Sequence, residues 1–183
     1  MNSAWENKAA GYWIRLAEPR DLPLLNAIEL AAATVFPVGA LPEQVLSERL
    51  PLEVLRAGMQ AESLWVALIP EEEPVGYLLL QVLDGIPLLA QVDVHPAHGR
   101  KGLGTALIAR GVRYAREAGF PALYLTTFAH IPWNAPFYER LGFVALPKEE
   151  VPGVIADILR DEQARGLDHR VAMRRSLREK DQP

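Results

Sequence analysis

Half of the 183 residues are apolar, enough for one sizeable domain and too many for a disordered chain. The formal charge of −4 gives no global reason to expect nucleic acid, and the most apolar stretch, Val75 to Val94, is no membrane span because Gln81, Asp84, Gly85, Pro87, Gln91 and Asp93 interrupt it. With no cysteine, disulfides, thiol catalysis and cysteine-ligated metals are excluded, and with no charged-then-apolar leader in Met1 to Lys8 a cytoplasmic protein is expected. A homodimer is left open.

The elements follow in chain order. Tyr12 to Leu16 alternates as a first strand. Asp21 stands where a helix cap belongs, ahead of Leu22 and Pro23, and Leu24, Leu25, Ile28, Ala31 and Ala32 recur at helical spacing until Pro37. Two short helical patterns, 42–49 and 51–60, each start near a proline. Ser63 to Ile69 reads as a strand, Val75 to Leu83 as another, and Ile86 to Val94 as a third. Asp84-Gly85 is a hairpin turn signal, and these short connections make the three strands antiparallel.

After Val94, Pro96 stops the strand, and Gly99-Arg100-Lys101-Gly102-Leu103-Gly104-Thr105 opens a helix over about 102–118, with Gly119 at its end. A strand, a glycine-rich turn and a helix N-terminus make a place for phosphates. The first-turn amides have no partner inside the helix, and its dipole puts partial positive charge there. The same stretch also fits an ordinary strand-to-helix turn. Further strands are expected at 123–128, 143–146 and 170–177, with helices at 134–141 and 154–165. The sum is a single α/β domain over 1–183, with a core of about 12–177 and a mobile tail at 178–183. Its sheet is mixed, mostly antiparallel and flanked by helices.

Two stretches together are more specific. Val92-Asp93-Val94-His95-Pro96-Ala97-His98-Gly99-Arg100-Lys101-Gly102-Leu103-Gly104-Thr105 resembles the acetyl-CoA motif of the GNAT family, the Gcn5-related N-acetyltransferases. Asn134-Ala135-Pro136-Phe137-Tyr138-Glu139-Arg140-Leu141-Gly142-Phe143 is similar to that family's later signature, an aromatic residue and tyrosine followed by Gly-Phe. The resemblance implies the acyl-CoA N-acyltransferase fold. It also implies transfer of acetyl from acetyl-CoA to a small-molecule or protein amine. On the same basis, backbone groups of Val92 and Val94 would hold the pantetheine arm, and the amides from Arg100 to Thr105 would hold the pyrophosphate. The motif's leading basic position is Gly99, so Arg100 and Lys101 would supply the charge. The family's asparagine, seven residues ahead of the tyrosine, falls on Ile131, and Asn134, four ahead, becomes the candidate for the pantetheine.

Tyr138 is the candidate general acid, since a phenol keeps its proton at neutral pH and can give it to a departing thiolate. Asp93 is the candidate general base. Strand alternation leaves its direction open, and Glu29, Asp84 or a water relay are alternatives. His95, His98 and His130 lack metal-ligand spacing and read as loop histidines with polar contacts; no metal is expected. His130, Thr126, Thr127 and Trp133 either line the acceptor pocket or pack locally. The segment Pro147 to Asp168 either covers the acceptor side or shields a sheet edge. A non-catalytic acyl-CoA sensor is the alternative function.

Overall fold

The computed structural model describes residues 5–7 and 11–178, so the tail expected at 178–183 lies, from residue 179 on, outside the described residues. Among the described residues, eight strands form one mixed sheet. In chain order the elements are β1 (Trp5–Asn7), β2 (Tyr12–Leu16), α1 (Leu22–Ala33), α2 (Glu43–Ser47), α3 (Leu52–Gln60), β3 (Leu64–Leu68), β4 (Pro74–Leu83), β5 (Ile86–Val94), α4 (Leu103–Glu117), β6 (Ala122–Phe128), α5 (Ala135–Arg140), β7 (Val144–Ala145), α6 (Gly153–Ala164) and β8 (Arg170–Ser176). The strand order is β1-β2-β3-β4-β5-β6-β8-β7. Two expected elements shrink markedly: the helix at 42–49, reduced to Glu43–Ser47, and the strand at 143–146, reduced to Val144–Ala145. Strand β1 was not expected.

Contacts divide the chain into two compact units, Met1–Gln81 with Gln91–Gly111, and Val82–Ala90 with Val112–Pro183. In the first unit β2, β3 and β4 run antiparallel, with Trp13 opposite Leu68 and Trp65 opposite Leu78. Every residue of β3 is buried, which is why its sequence is a continuous apolar run rather than an alternation: both faces are covered. Helix α1 contributes Leu22, Leu25, Ile28 and Ala32 to the core, and α4 contributes Leu103, Leu107 and Ile108. A Cβ on Gly111 would meet Leu78 Cδ2 at 2.9 Å, so a glycine there lets α4 lie close on β4.

In the second unit β5 and β6 pair in parallel at Leu88 and Tyr124, and β6 pairs antiparallel with β8 from Ala122–Ser176 to Phe128–Arg170. The segment between β7 and β8 folds mainly into α6, whose fully buried Ile155 packs with Leu88 and Ala172. It therefore shields the sheet. Glu162 on α6 pairs with Arg170 at 2.6 Å and accepts a 2.8 Å hydrogen bond from Thr126, which commits Thr126 to this joint rather than to a pocket. Thr127 is buried.

One local expectation fails in an instructive way. Asp21 occupies the cap position of α1, but its side chain makes no capping bond. It is turned to Arg15, which it engages through both oxygens at 2.6 and 3.0 Å, and it accepts the Glu18 N–H at 2.7 Å. Two parallel bonds from a guanidinium, with charge on both partners, outcompete a single carboxylate–amide cap bond. Asp21 is 2% exposed and Arg15 17%, so replacing Asp21 with alanine leaves a guanidinium stranded in the protein. Chemical denaturation should show a loss of about 3–5 kcal/mol. A loss below about 1 kcal/mol, the size of a surface pair, would show that the bridge is not a structural tie.

Candidate functional site

The end of β5 is fixed by β4. The His95 N–H donates to the Val75 carbonyl at 2.8 Å. Successive amides on a strand point to opposite sides, so the N–H groups of Val92 and Val94 are aimed away from β4. Gly76 makes this close pairing possible: a Cβ there would meet the Asp93 carbonyl oxygen at 2.9 Å and Val94 Cγ2 at 3.2 Å.

Beyond β5, a 3-10 turn at Pro96–His98 leads to Gly99. Gly99 has an ordinary φ of −65°, so it is not demanded by backbone conformation; a Cβ would sit 3.1 Å from the Pro96 carbonyl oxygen. The left-handed positions come next, Arg100 at φ +58° and Gly102 at φ +80°, with Lys101 between them on the negative side. Such alternation curls successive amides toward one concave side, a form that suits anions. The Ala106 N–H donates to the Gly102 carbonyl at 2.9 Å. The amides of Leu103, Gly104 and Thr105 thus precede the first bond of α4 and have no partner within the helix.

The two basic residues of this turn differ. Arg100 is exposed. The Lys101 ammonium donates to the Tyr12 hydroxyl at 3.0 Å and sits 5.6 Å from that ring's centroid. The Tyr12 hydroxyl also lies 2.9 Å from His98 Nδ1. Burial and the neighbouring Lys101 hold His98 below its usual range. Lys101 is therefore tied to β2, whereas Arg100 extends from the surface of the turn.

Asp93 has a distinct setting. It retains some solvent-accessible surface, yet protein crowds it closely. Loss of hydration pushes its pKa up to about 7. The Gln91 amide, donating to Oδ2 at 2.7 Å, pulls the other way, the charge of Glu29 pushes further up, and the Tyr77 hydroxyl again favours the anion. Tyr77 itself is buried on β4 and held far above the usual phenol range, first by burial and then by the charges of Asp93 and Glu29. Although Tyr77 and Asp93 interact, the hydroxyl makes no hydrogen bond of good geometry. Glu29 on α1 is raised by burial, against the Leu50 N–H that donates to its Oε2 at 3.0 Å and the charge of Arg49. Asp84 is elsewhere, in the β4–β5 turn at φ +50°.

Asn134 and Tyr138 belong to the second unit. Asn134 caps α5 by position, with φ −103° and ψ −98°, but its side chain makes no capping bond and is left for another partner. Ile131 is buried, so the family's usual asparagine position here serves the core. Tyr138 lies on α5 with its ring 5.3 Å from Phe137 and 5.9 Å from Phe143. Its carbonyl accepts the Phe143 N–H at 3.1 Å across Gly142, whose φ of +83° closes the helix with a left-handed turn. This is why a glycine and a buried phenylalanine follow the tyrosine at fixed spacing. His130 is exposed, stacked edge-on between Phe128 and His169, and Trp133 is 44% exposed.

A sequence model described as the acetyltransferase (GNAT) family matches residues 30–143, more than half of the chain. The chain belongs to the GNAT family.

Solved structures agree on the fold. The PaiA N-acetyltransferase of Thermoplasma acidophilum, solved with coenzyme A, superposes with a TM-score of 0.69 at 16% identity, covering 90% of this chain and 98% of that one. A GNAT acetyltransferase from Staphylococcus aureus gives a TM-score of 0.68 at 17% identity, covering 91% and 99%. The N-acetylglutamate synthase of Neisseria gonorrhoeae, complexed with coenzyme A and N-acetyl-glutamate, gives 0.68 at 19%; this chain is covered over 92% but spans only 35% of that protein. The GNAT match contains α2 through α5 and so takes in the glycine turn, Asp93 and Tyr138.

Sequence reasoning missed Tyr12, Tyr77 and Gln91. Gln91 had a usable signal, since two residues apart on a strand puts it on the same face as Asp93. Tyr77 had a weaker one, a hydroxyl inside the run Val75-Gly76-Tyr77-Leu78-Leu79-Leu80 that a buried strand must somehow accommodate. Tyr12 had none, because its partner is 89 residues away.

Proposed function

We propose that this GNAT protein transfers acetyl from acetyl-CoA to a primary amine by direct attack, with Asp93 as general base and Tyr138 as general acid. The observation that carries the reading is Asp93. A carboxylate at the end of β5 whose pKa stands at about 7 is suited to taking a proton at neutral pH. Acetyl-CoA supplies the acetyl group as a reactive thioester. The amides of Val92 and Val94, aimed away from β4, would bond the pantetheine arm, and the Val94 N–H would stabilise negative charge growing on the carbonyl oxygen. Amides from Arg100 to Thr105 would cradle the pyrophosphate, with Arg100 and Lys101 adding charge and Gly99 admitting the chain closely. Asn134 would offer its uncommitted amide to the pantetheine. As the nitrogen–carbon bond forms and the carbon–sulfur bond breaks, Asp93 takes the amine's proton and Tyr138 gives one to the sulfur.

Calorimetry with acetyl-CoA, followed by a thiol-release assay over peptide N-termini, lysine, polyamines and aminoglycosides, tests the reading. Release of CoA on at least one amine is the expected result. Tight binding with no release on any of them would favour an acyl-CoA sensor instead.

The turn carries its own prediction. Gly102 sits at φ +80° with nothing within 4 Å of the place a Cβ would take, so only the backbone, not space, resists a side chain. Replacing it with valine should force the turn out of shape and weaken acetyl-CoA binding about tenfold or more, since a β-branched residue there is strained by at least about 1–2 kcal/mol. Unchanged affinity by calorimetry would remove the turn from the phosphate site.

A further inference from the structure

The turn ahead of α4 carries two cations, and one of them is held from another element. Arg100 is exposed and has no side-chain hydrogen bond or ion pair among the described residues. Lys101 is exposed too, but its ammonium donates to the Tyr12 hydroxyl at 3.0 Å, across 89 positions of sequence. An ammonium has only N–H groups to give, so the Tyr12 oxygen is the acceptor. The single proton of that hydroxyl is left for His98 Nδ1, 2.9 Å away. Burial and the neighbouring Lys101 keep His98 below its usual range, so at neutral pH its ring is largely uncharged and accepts at Nδ1, with its own hydrogen on Nε2. The bonds therefore run one way, from Lys101 through Tyr12 to His98.

Tyr12 is a firm anchor. It is 6% exposed and opens β2, whose next residue stands opposite Leu68 of the buried strand β3. His98 meets its ring edge-on, with centroids 5.9 Å apart and planes at 88°. A lysine on an exposed turn ordinarily gives up the freedom of a long side chain when it grips a ligand. Here one of the three N–H groups is already engaged, so much of that ordering is complete in the free protein. The other two remain on an exposed side chain, and they suit the oxygens of a phosphate.

We propose that Tyr12 is a positioning residue for the cofactor: its hydroxyl holds the Lys101 ammonium ready for a phosphate of acetyl-CoA. This rests on the acetyl-transfer reading, which lays the pyrophosphate on this turn, and it adds a residue from β2, outside the turn itself. Tyr12 acts through Lys101, so it serves affinity for the phosphates rather than the chemical step.

Calorimetry with CoA tests this on the unaltered chain, Tyr12→Phe, Lys101→Gln and the double variant. Phenylalanine keeps the ring that Lys101 overlies at 5.6 Å and that His98 meets, and removes only the hydroxyl. Tyr12→Phe should weaken CoA binding about threefold or more, the scale of ordering one long side chain. Lys101→Gln should weaken it at least as much. The double variant should bind within about twofold of Lys101→Gln, because the hydroxyl has no ammonium left to position. The loss in Tyr12→Phe should also shrink as salt is raised, which a packing defect would not do. CoA affinity within about twofold of the unaltered chain in Tyr12→Phe would overturn the inference. So would losses that multiply in the double variant, or a loss that persists unchanged at high salt, since either assigns Tyr12 to packing. Tighter binding by Tyr12→Phe would overturn it as well, because the hydroxyl would then be holding the ammonium back from the phosphates. Lys101→Gln alters only an exposed side chain, so unchanged affinity there would refute the inference even if Tyr12→Phe folded poorly. Absence of CoA binding by the unaltered chain would overturn it together with the acetyl-CoA reading beneath it, whereas normal binding with any of the other adverse results would overturn it alone.

Discussion

Replacing Asp93 with asparagine should lower kcat/KM by about a hundred- to ten-thousand-fold, the usual contribution of a positioned proton acceptor. The change keeps the side chain's shape and its hydrogen bond from Gln91, which an amide oxygen also accepts. What it removes is basicity. In the wild-type protein kcat/KM should rise with pH through a limb near pH 7, where Asp93 ionises. The asparagine variant should lack that limb and follow only the ionisation of the free amine. Activity within about threefold of wild type across this range would remove Asp93 from the chemistry, since that is under 1 kcal/mol of barrier.

The same shift has a signature in stability, with a fixed sign. The native carboxyl ionises near 7 and its ordinary value is 3.8. Between those values the native state holds the proton more tightly than the unfolded chain does. Stability from this group is therefore greatest below the ordinary value, falls as pH rises from about 4 to 7, and is level above that. The asparagine variant should lose this slope and unfold at a higher temperature than wild type above pH 7. Gain in stability with loss of activity is the pattern of a carboxylate kept for its reaction rather than for the fold.

Strands β3, β4 and β5 were legible because their signals are local: apolar runs, an Asp84-Gly85 turn with both residues at positive φ, and Pro96 as a stop. Strand β1 was not, because Trp5-Glu6-Asn7 has no period of its own and exists by pairing with Tyr12 to Ile14. Phe143 was assigned to a strand that begins one residue later. It is buried and bonded back to Tyr138, so it finishes the helix instead. The site divides in the same way. Gly102 and the first-turn amides of α4 could be placed from sequence, since both are properties of a few consecutive residues. The state of Asp93 could not. It is set first by burial, which exists only once other elements pack against β5, and then more weakly by Gln91 on its own strand and by Glu29 and Tyr77 from elsewhere. Lys101 shows the converse: a charge near the phosphates by spacing, whose ammonium the fold ties to Tyr12.

Tyr138→Phe isolates one atom. The ring contacts with Phe137 and Phe143, and the carbonyl that accepts the Leu141 and Phe143 amides, do not depend on the hydroxyl. The variant should therefore fold normally and bind acetyl-CoA with little change. Its kcat should fall about a hundredfold or more, because the CoA sulfur then leaves without a proton from a positioned donor. A merely structural hydroxyl would also slow turnover if its loss disturbed the site, so the leaving group provides the decisive comparison. With a thioester of an aromatic thiol, whose thiolate is stable at neutral pH, no proton is needed at the sulfur. If Tyr138 is the acid, the variant's deficit should shrink at least about tenfold on that donor relative to acetyl-CoA, since the part of the barrier it lowers is absent. An equal deficit on both donors would assign the hydroxyl to positioning and leave protonation of the thiolate to water.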